Sequence, residues 1–272
     1  MSYLQNLHTH STFCDGKDTP EEMILAAMKK GFDSIGFSGH SYTYFRPGKS
    51  MTPEKTECYK KEVRRLKEKY RGQIDIFCGI ELEMYSQIDL AGYDYVIGGL
   101  HNLKIGDEYV AFVRPADTVR NVINQHFGGD GMKFARAYYE QIVKLTECSA
   151  IDIVGHFDQV ATHADSAGLF DTGSGEYQNY ALEALAAVSE KIRLFEVNIK
   201  SLSQGRSAIP QPAPFLLKEL NRRGCKVLIT WDCHDSRFLG VGLKQTKDLL
   251  MVCGFRESYV LTLEGYRGIK LD

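Results

Sequence analysis

The segment that decides the fold lies near the start of the chain and reads Leu4-Gln5-Asn6-Leu7-His8-Thr9-His10. Residues 4–7 are predicted to form a short strand, and two histidines follow it directly. In an extended segment, residues two positions apart point the same way, so His8 and His10 can hold one metal ion together. The stretch therefore predicts a strand that presents metal ligands at its carboxyl end.

The same alternation continues along the chain, because short apolar runs are followed by longer segments of helical period. The predicted strands are 4–7, 34–38, 74–82, 93–100, 151–155, 194–199 and 226–230, and the predicted helices are 20–30, 53–70, 132–148, 177–191, 213–223 and 243–253. Segment 106–131 is predicted to be a long irregular loop. Strands alternating with helices predict an α/β fold with a parallel sheet, either a barrel or an open doubly wound sheet.

Most of the histidines fall at the ends of predicted strands. Those at strand ends are His8, His10, His40, His101, His156 and His234, and the acidic residues Asp15, Glu81 and Asp232 lie in the same regions. The carboxyl ends of the strands in a parallel barrel converge on one face, so these side chains should meet in one pocket. Imidazole mixed with carboxylate suits Zn, Mn or Fe. The set is large enough for two or three divalent ions that share a carboxylate.

Composition and charge exclude several classes of protein. The chain has 33 Lys and Arg residues against 35 Asp and Glu residues, a formal net charge of −2, which argues against a binder of long nucleic acid. It has no apolar stretch long enough to span a membrane and no signal-peptide pattern at the amino end. Its seven cysteines include no C-x-x-C pair, so we expect neither a disulfide framework nor a zinc finger. We therefore expect a cytoplasmic protein that acts on a small molecule.

Six short motifs in this order resemble the PHP (polymerase and histidinol phosphatase) superfamily. They are H-x-H-x-x-x-x-D-G at 8–16, Gly36-Phe37-Ser38-Gly39-His40, Gly79-Ile80-Glu81, Gly98-Gly99-Leu100-His101, Gly155-His156-Phe157-Asp158 and Asp232-Cys233-His234. The resemblance runs from residue 8 to residue 234. The standalone length, Glu196-Val197-Asn198 and the prolines near Pro210 look most like the PHP-type histidinol-phosphatase branch.

The resemblance implies a fold and a set of metal ligands. The fold would be a distorted (β/α)7 barrel, and residues 1–272 would form a single domain with the metal site at the carboxyl ends of the strands. Family knowledge implies three ions. The first would be held by His8, His10, Glu81 and Asp232, the second by Glu81, His101 and His156, and the third by Asp15, His40 and His234. Asp15 stands where some relatives carry His.

The resemblance also implies an activity, the metal-dependent hydrolysis of L-histidinol phosphate to L-histidinol and phosphate in histidine biosynthesis. The ions would bind phosphate oxygens and lower the pKa of a water molecule to about 7. One alternative is a PHP phosphoesterase that acts on nucleotides or nucleic-acid ends. Another is a metal-dependent amidohydrolase, but that class uses a bridging lysine where this chain has Glu81. A third is a PHP scaffold without activity, which would have lost ligands.

Several further residues are predicted to serve the substrate. Arginine binds phosphate in a bidentate way, and the candidates for the phosphate are Arg206, Lys200 and Arg114. Asn198 is a candidate substrate contact. Asp232 or His234 could protonate the leaving oxygen. Three acidic side chains lie next to predicted ligands and could orient them, namely Glu83, Asp158 and Asp235. Alternatively, they cap loops or form surface salt bridges.

Overall fold

A computed structural model describes residues 3–46 and 48–272. Its centre is a parallel sheet of seven strands, and the predicted strand positions are confirmed with small changes of boundary. In sheet order, the strands are β1 (Gln5–Asn6), β2 (Ser34–Phe37), β3 (Asp75–Glu83), β4 (Tyr95–Gly99), β7 (Ile153–Val154), β8 (Leu194–Asn198) and β9 (Lys226–Thr230). Because all neighbouring strands pair in parallel, the carboxyl ends of all seven strands lie on one face.

The sheet closes on itself between its first and last strands. Just beyond β1 and β9, Thr9 and Cys233 form a parallel bridge. The Cys233 N–H donates to the carbonyl oxygen of His8 at 2.8 Å, and the His10 N–H donates to the carbonyl oxygen of Cys233 at 2.9 Å. The fold is therefore a nearly closed seven-stranded barrel, as predicted, and the open doubly wound sheet is excluded.

Tyr95 fills the middle of the barrel. Its hydroxyl donates to the carbonyl oxygens of Leu7 and Phe37, the second at 3.0 Å. Gly36 and Gly79 make room for the ring, since a Cβ at Gly36 would lie 2.4 Å from the Tyr95 hydroxyl and one at Gly79 2.2 Å from its Cζ. A buried apolar cluster surrounds the ring and consists of Leu7, Phe77, Ile97, Ile153, Leu194, Leu228 and Leu261.

Helices pack around the barrel. They are α1 (Pro20–Lys29), α2 (Pro53–Lys69), α3 (Ala116–Phe127), α4 (Gly131–Ile142), α5 (Gly175–Lys191), α6 (Lys200–Ser203), α7 (Pro214–Arg222) and α8 (Leu243–Val252). Helix α1 begins with a capping box, in which the Glu22 N–H donates to the Thr19 hydroxyl and the Thr19 N–H donates to the Glu22 carboxylate. Among the described residues, no helix combines the length and the apolar character needed to cross a bilayer.

The prediction of an irregular loop at 106–131 is wrong. An antiparallel hairpin begins before this segment, with β5 (Asn102–Ile105) pairing with β6 (Glu108–Ala111), and helix α3 follows. Gly106 supplies the left-handed conformation in the two-residue turn, with φ of 60°. Helix α3 buries Val119, Val122 and Ile123, which are spaced as on one face of a helix. These few apolar residues gave too weak a helical pattern to be recognised in the sequence.

Two further features differ from the predicted boundaries. The helix predicted at 132–148 ends at Ile142 and continues as a 3₁₀ turn over Val143–Glu147. An unforeseen C-terminal hairpin, β10 (Glu257–Thr262) with β11 (Gly265–Lys270), covers the amino-terminal end of the barrel. There Leu261 exchanges two 2.7 Å hydrogen bonds with the side chain of Gln5. The hairpin lies at the end opposite the predicted site.

Candidate metal centre

The segment that follows β1 turns back on itself beside the barrel mouth. The N–H groups of Cys14 and Gly16 both donate to the carbonyl oxygen of Ser11 at 3.0 Å. Gly16 is required at this turn, because a Cβ there would lie 2.5 Å from the Ser11 nitrogen. The turn brings Asp15 Oδ1 to 3.7 Å from His10 Nδ1. The spacing between the second histidine and the aspartate therefore places both at one site.

Glu81 lies at the centre of the site and is 1% exposed. Its Oε1 lies 2.7 Å from His156 Nε2, 3.1 Å from His101 Nε2 and 3.4 Å from His8 Nε2. Its Oε2 lies 2.6 Å from His40 Nδ1. One carboxylate thus faces imidazoles that come from four different strand ends, which is the geometry of a bridging ligand.

Two other carboxylates extend the cluster on either side of His10. Asp232 Oδ1 lies 3.2 Å from both His10 Nε2 and His234 Nδ1. Asp15 Oδ1 lies 3.2 Å from His234 Nε2 and 3.4 Å from His40 Nε2. All nine side chains predicted as ligands therefore meet in one place.

Their donor atoms form four overlapping groups, in each of which the atoms lie within 4.8 Å of one another. The groups are His8, His10 and Asp232; His8, Glu81 and His156; His40, Glu81 and His101; and His10, Asp15, His40 and His234. The first and last groups follow the predicted sets for the first and third ions. His101 and His156, predicted to share the second ion, fall in two different groups, and Glu81 belongs to both of those groups.

The donor atoms at the centre of this cluster fit cations. Four buried atoms have no hydrogen-bond partner among the described residues, namely His8 Nε2, His10 Nε2, Asp15 Oδ1 and Glu81 Oε2. A buried polar atom without a partner costs free energy, so an inward-facing group of them indicates a missing ligand. Imidazole nitrogens and carboxylate oxygens are ligands for zinc, manganese and iron. The residues present therefore fit a cluster of divalent metal ions.

The carboxylates and imidazoles of the cluster change one another's pKa values. Burial alone would raise the pKa of Glu81, but the imidazoles of His40, His101 and His8 outweigh it and hold that pKa well below its usual range. Burial opposes protonation of His101, yet the Glu81 and Glu83 carboxylates raise its pKa to about 9. A proton on His101 therefore stands where an ion would bind, and metal binding has to displace it.

Two buried carboxylates orient the imidazoles from outside the cluster. Glu83 accepts hydrogen bonds from His101 Nδ1 at 2.8 Å and from the His101 backbone N–H at 3.1 Å. Glu196 accepts from His8 Nδ1 at 2.5 Å and from the His156 N–H at 2.6 Å. A carboxylate on the outer nitrogen of a histidine fixes its tautomer and leaves the inner nitrogen free for a metal.

Sequence reasoning gave no role to Glu196, although a signal was present. Glu196 and Asn198 alternate within a buried strand, and such a strand otherwise contains apolar residues. The Asn198 Nδ2 donates to Glu196 Oε2 at 3.1 Å and to Asp232 Oδ2 at 3.3 Å. The polar pair therefore faces the cluster.

The backbone is strained at two of the predicted ligands. His156 and Asp232 have φ values of 23° and 43°, and they are the non-glycine residues with positive φ in the described chain. Such conformations are costly and concentrate at functional sites. Gly99 leaves room beside His156, since a Cβ there would lie 2.9 Å from His156 Cε1.

A cavity of about 750 Å³ opens beside the cluster, and the predicted substrate residues Asn198, Lys200, Arg206 and Arg114 all line it. Asn198 and Lys200 also reach the cluster, because Lys200 Nζ lies 3.0 Å from Asp232 Oδ1. The cavity and the cluster therefore share a wall.

The remaining candidates lie outside the cluster. Asp235 bonds to Lys17 at 3.1 Å and to Arg237 at 2.6 Å and caps the 3₁₀ turn that follows, so it orients no ligand. Asp158 accepts the N–H of Ala213 at 2.8 Å. His126 lies in α3, outside the groups of possible ligands.

Comparisons with known proteins agree with the fold. The PHP domain pattern matches residues 6–200. The chain is 26% identical to the probable histidinol-phosphatase of Schizosaccharomyces pombe, over 91% of this chain and 86% of that protein. It is 24% identical to the histidinol-phosphatase of Bacillus subtilis, over 86% of this chain and 94% of that protein.

A solved structure with the same fold is the histidinol phosphate phosphatase of Lactococcus lactis, complexed with zinc, L-histidinol and phosphate. Its TM-score is 0.68 at 19% identity, over 97% of this chain and 98% of that one. The domain match covers more than half of the chain and includes seven of the nine clustered side chains. The chain belongs to the PHP domain family.

Proposed function

We propose that the protein is a metal-dependent phosphomonoesterase that hydrolyses L-histidinol phosphate to L-histidinol and phosphate. The observation that carries this proposal is the cluster of nine ligand-type side chains, beside which lies a cavity lined by Arg114, Lys200 and Arg206, with Lys200 contacting Asp232 of the cluster. The substrate is supported by the relatives named histidinol-phosphatase and by the Lactococcus lactis protein, which was solved with L-histidinol and phosphate.

Two or three divalent ions would be held by the clustered side chains. The proposed sets are His8, His10, Glu81 and Asp232; Glu81, His101 and His156; and Asp15, His40 and His234. Zinc is supported by the Lactococcus lactis structure, while manganese and iron suit the same ligands. When bound, such ions neutralise the charge on phosphate oxygens and lower the pKa of a water molecule.

The cationic side chains of the cavity would position the phosphate. Lys200 Nζ lies 3.0 Å from Asp232 Oδ1, so it is already at the edge of the proposed ion site. Arg206 is exposed and Arg114 half-buried, and both can donate paired hydrogen bonds to phosphate oxygens. Asn198 holds its amide between Glu196 and Asp232, which fixes the wall against which the substrate would bind.

The leaving alkoxide needs a proton, for which Asp232 and His234 remain the predicted donors. Lys200 also carries protons and contacts Asp232 at 3.0 Å, so it is a further candidate donor. Because an alkoxide is strongly basic, a donor within hydrogen-bond reach of the leaving oxygen accelerates the reaction.

The cellular setting also remains a prediction. In the described residues, the seven cysteines are free thiols, as expected in a reducing compartment such as the cytoplasm. We propose a small phosphorylated substrate and no membrane or nucleic-acid partner, in line with the net charge of −2.

The proposal is tested by measuring phosphate release from L-histidinol phosphate, AMP and p-nitrophenyl phosphate. We expect the highest kcat/KM with L-histidinol phosphate, loss of activity with a chelator, and recovery when zinc or manganese is added. His101→Ala should abolish turnover, whereas His126→Ala, outside the cluster, should retain it. Preference for AMP would replace the proposed substrate with a nucleotide, and chelator-resistant turnover would contradict metal dependence.

A further inference from the structure

Asp158 is a buried carboxyl group whose hydrogen bonding is incomplete. It is 2% exposed, and its Oδ2 accepts the N–H of Ala213 at 2.8 Å. Its Oδ1 has no hydrogen-bond partner, and no Lys, Arg or His of the described chain lies within ion-pair distance of it. The loop role of Asp158 therefore uses one oxygen and leaves the other oxygen free.

This group lies in the wall of the 750 Å³ cavity. The same wall contains Asn198 and Lys200, which reach the metal cluster through Asp232. A ligand whose phosphate sits at the cluster would therefore extend into the cavity that Asp158 lines.

The other charged groups of the cavity do not satisfy Asp158. Arg114, Lys200 and Arg206 are cationic and suit the phosphate. The second carboxylate in the wall, Asp165, already accepts hydrogen bonds from the Thr172 N–H, at 3.0 Å, and from its hydroxyl. Because a buried carboxyl oxygen without a partner is costly, the free atom of Asp158 calls for a donor from the ligand.

We propose that Asp158 binds a nitrogen cation or N–H donor on the alcohol portion of the phosphomonoester and so selects for substrates that carry one. This inference rests on the proposed function and deepens it. L-Histidinol phosphate has two such groups, an ammonium and an imidazole, and either can donate to a carboxylate. Phosphate at the cluster and a cation at Asp158 would fix both ends of the substrate.

Asp158→Asn tests the proposal with little change of shape. Its amide oxygen can still accept the Ala213 N–H, while the amide nitrogen, a donor, takes the position of the free oxygen. The readout is the ratio of kcat/KM for L-histidinol phosphate to kcat/KM for ethyl phosphate, which lacks nitrogen. We expect this ratio to fall at least about tenfold, the effect of one charged hydrogen bond. Asp165→Asn is the matched control and should leave the ratio unchanged.

Two analogues identify the group that Asp158 contacts. If Asp158 contacts the ammonium, the substitution Asp158→Asn will leave kcat/KM for the deaminated analogue unchanged. If Asp158 contacts the imidazole, the substitution will leave kcat/KM for phenylalaninol phosphate unchanged. An unchanged ratio, or an equal loss with both substrates as expected for a purely structural role, would overturn the inference. Should the wild type fail to hydrolyse L-histidinol phosphate, the proposed function falls. The ratio of aminoethyl phosphate to ethyl phosphate then decides on Asp158 in the same way.

Discussion

Replacing Glu196 with Gln should weaken both the fold and the metal site. Glu196 Oε1 accepts from His8 Nδ1 and Thr230 Oγ1, each at 2.5 Å, and Oε2 accepts from the His156 N–H at 2.6 Å and from Asn198 Nδ2 at 3.1 Å. A glutamine turns one oxygen into a donor, so in either orientation two donors face an NH₂ group. Each unsatisfied buried group costs about 1–3 kcal/mol. We expect the free energy of unfolding to fall by about 1–3 kcal/mol, because Thr230 can reverse its hydroxyl and only the His8 N–H is then left without an acceptor.

The metal site loses affinity for a related reason. Without a carboxylate at Nδ1, the His8 ring is free to move its proton to Nε2, the nitrogen that faces the cluster. Loss of such an outer contact typically lowers metal affinity by about 10–100-fold. Urea unfolding measures the first effect, and zinc competition with a chromophoric chelator measures the second. Glu190→Gln, at the exposed end of α5, is the control. Wild-type zinc affinity in Glu196→Gln would refute this role of Glu196.

Three other perturbations have definite expected outcomes. Gly79→Ala should cost about 3 kcal/mol by forcing a Cβ against the Tyr95 ring, and an unchanged urea midpoint would contradict the packing of the barrel centre. Zinc added to metal-free protein at pH 7.5 should release protons, because the Glu81 and Glu83 carboxylates raise the pKa of His101 to about 9 and the ring must deprotonate to bind. A pH indicator in weak buffer that detects no release would contradict a protonated His101 in the metal-free site. Arg206→Ala should raise KM about tenfold if Arg206 binds the phosphate, whereas the surface variant Arg64→Ala should not, and equal KM values would remove Arg206 from the site.

The barrel and the cluster could be predicted because their signals are local. Most strands are short apolar runs, and most predicted ligands lie just beyond the carboxyl end of a strand, so a parallel barrel brings residues such as His8 and His234 together. The bridge between Thr9 and Cys233 that closes the barrel could not be predicted from the sequence. Strand β1 has only two residues, and the closing bridge lies beyond its end. The sequence therefore indicated which elements exist more clearly than how the sheet closes.

The parts that sequence analysis missed depend on tertiary contacts. The β5–β6 hairpin has mixed polar and apolar residues and is stabilised partly by Gln141 of α4, which exchanges hydrogen bonds with the Lys104 backbone. In the sequence Glu196 is one polar residue among many, and only the fold shows that four hydrogen-bond donors surround its carboxylate. Likewise, the sequence does not show that one oxygen of Asp158 lacks a hydrogen-bond partner or that this residue lines the cavity.

The central claim is that nine imidazole and carboxylate side chains surround a cluster of divalent ions. Crystals of protein purified with zinc, measured at wavelengths on either side of the zinc absorption edge, test it directly. We expect two or three anomalous peaks between Glu81, His10 and Asp15, each about 2.0–2.2 Å from the facing nitrogen and oxygen atoms. A map with no peaks there, or with peaks only at surface histidines such as His126, would contradict it.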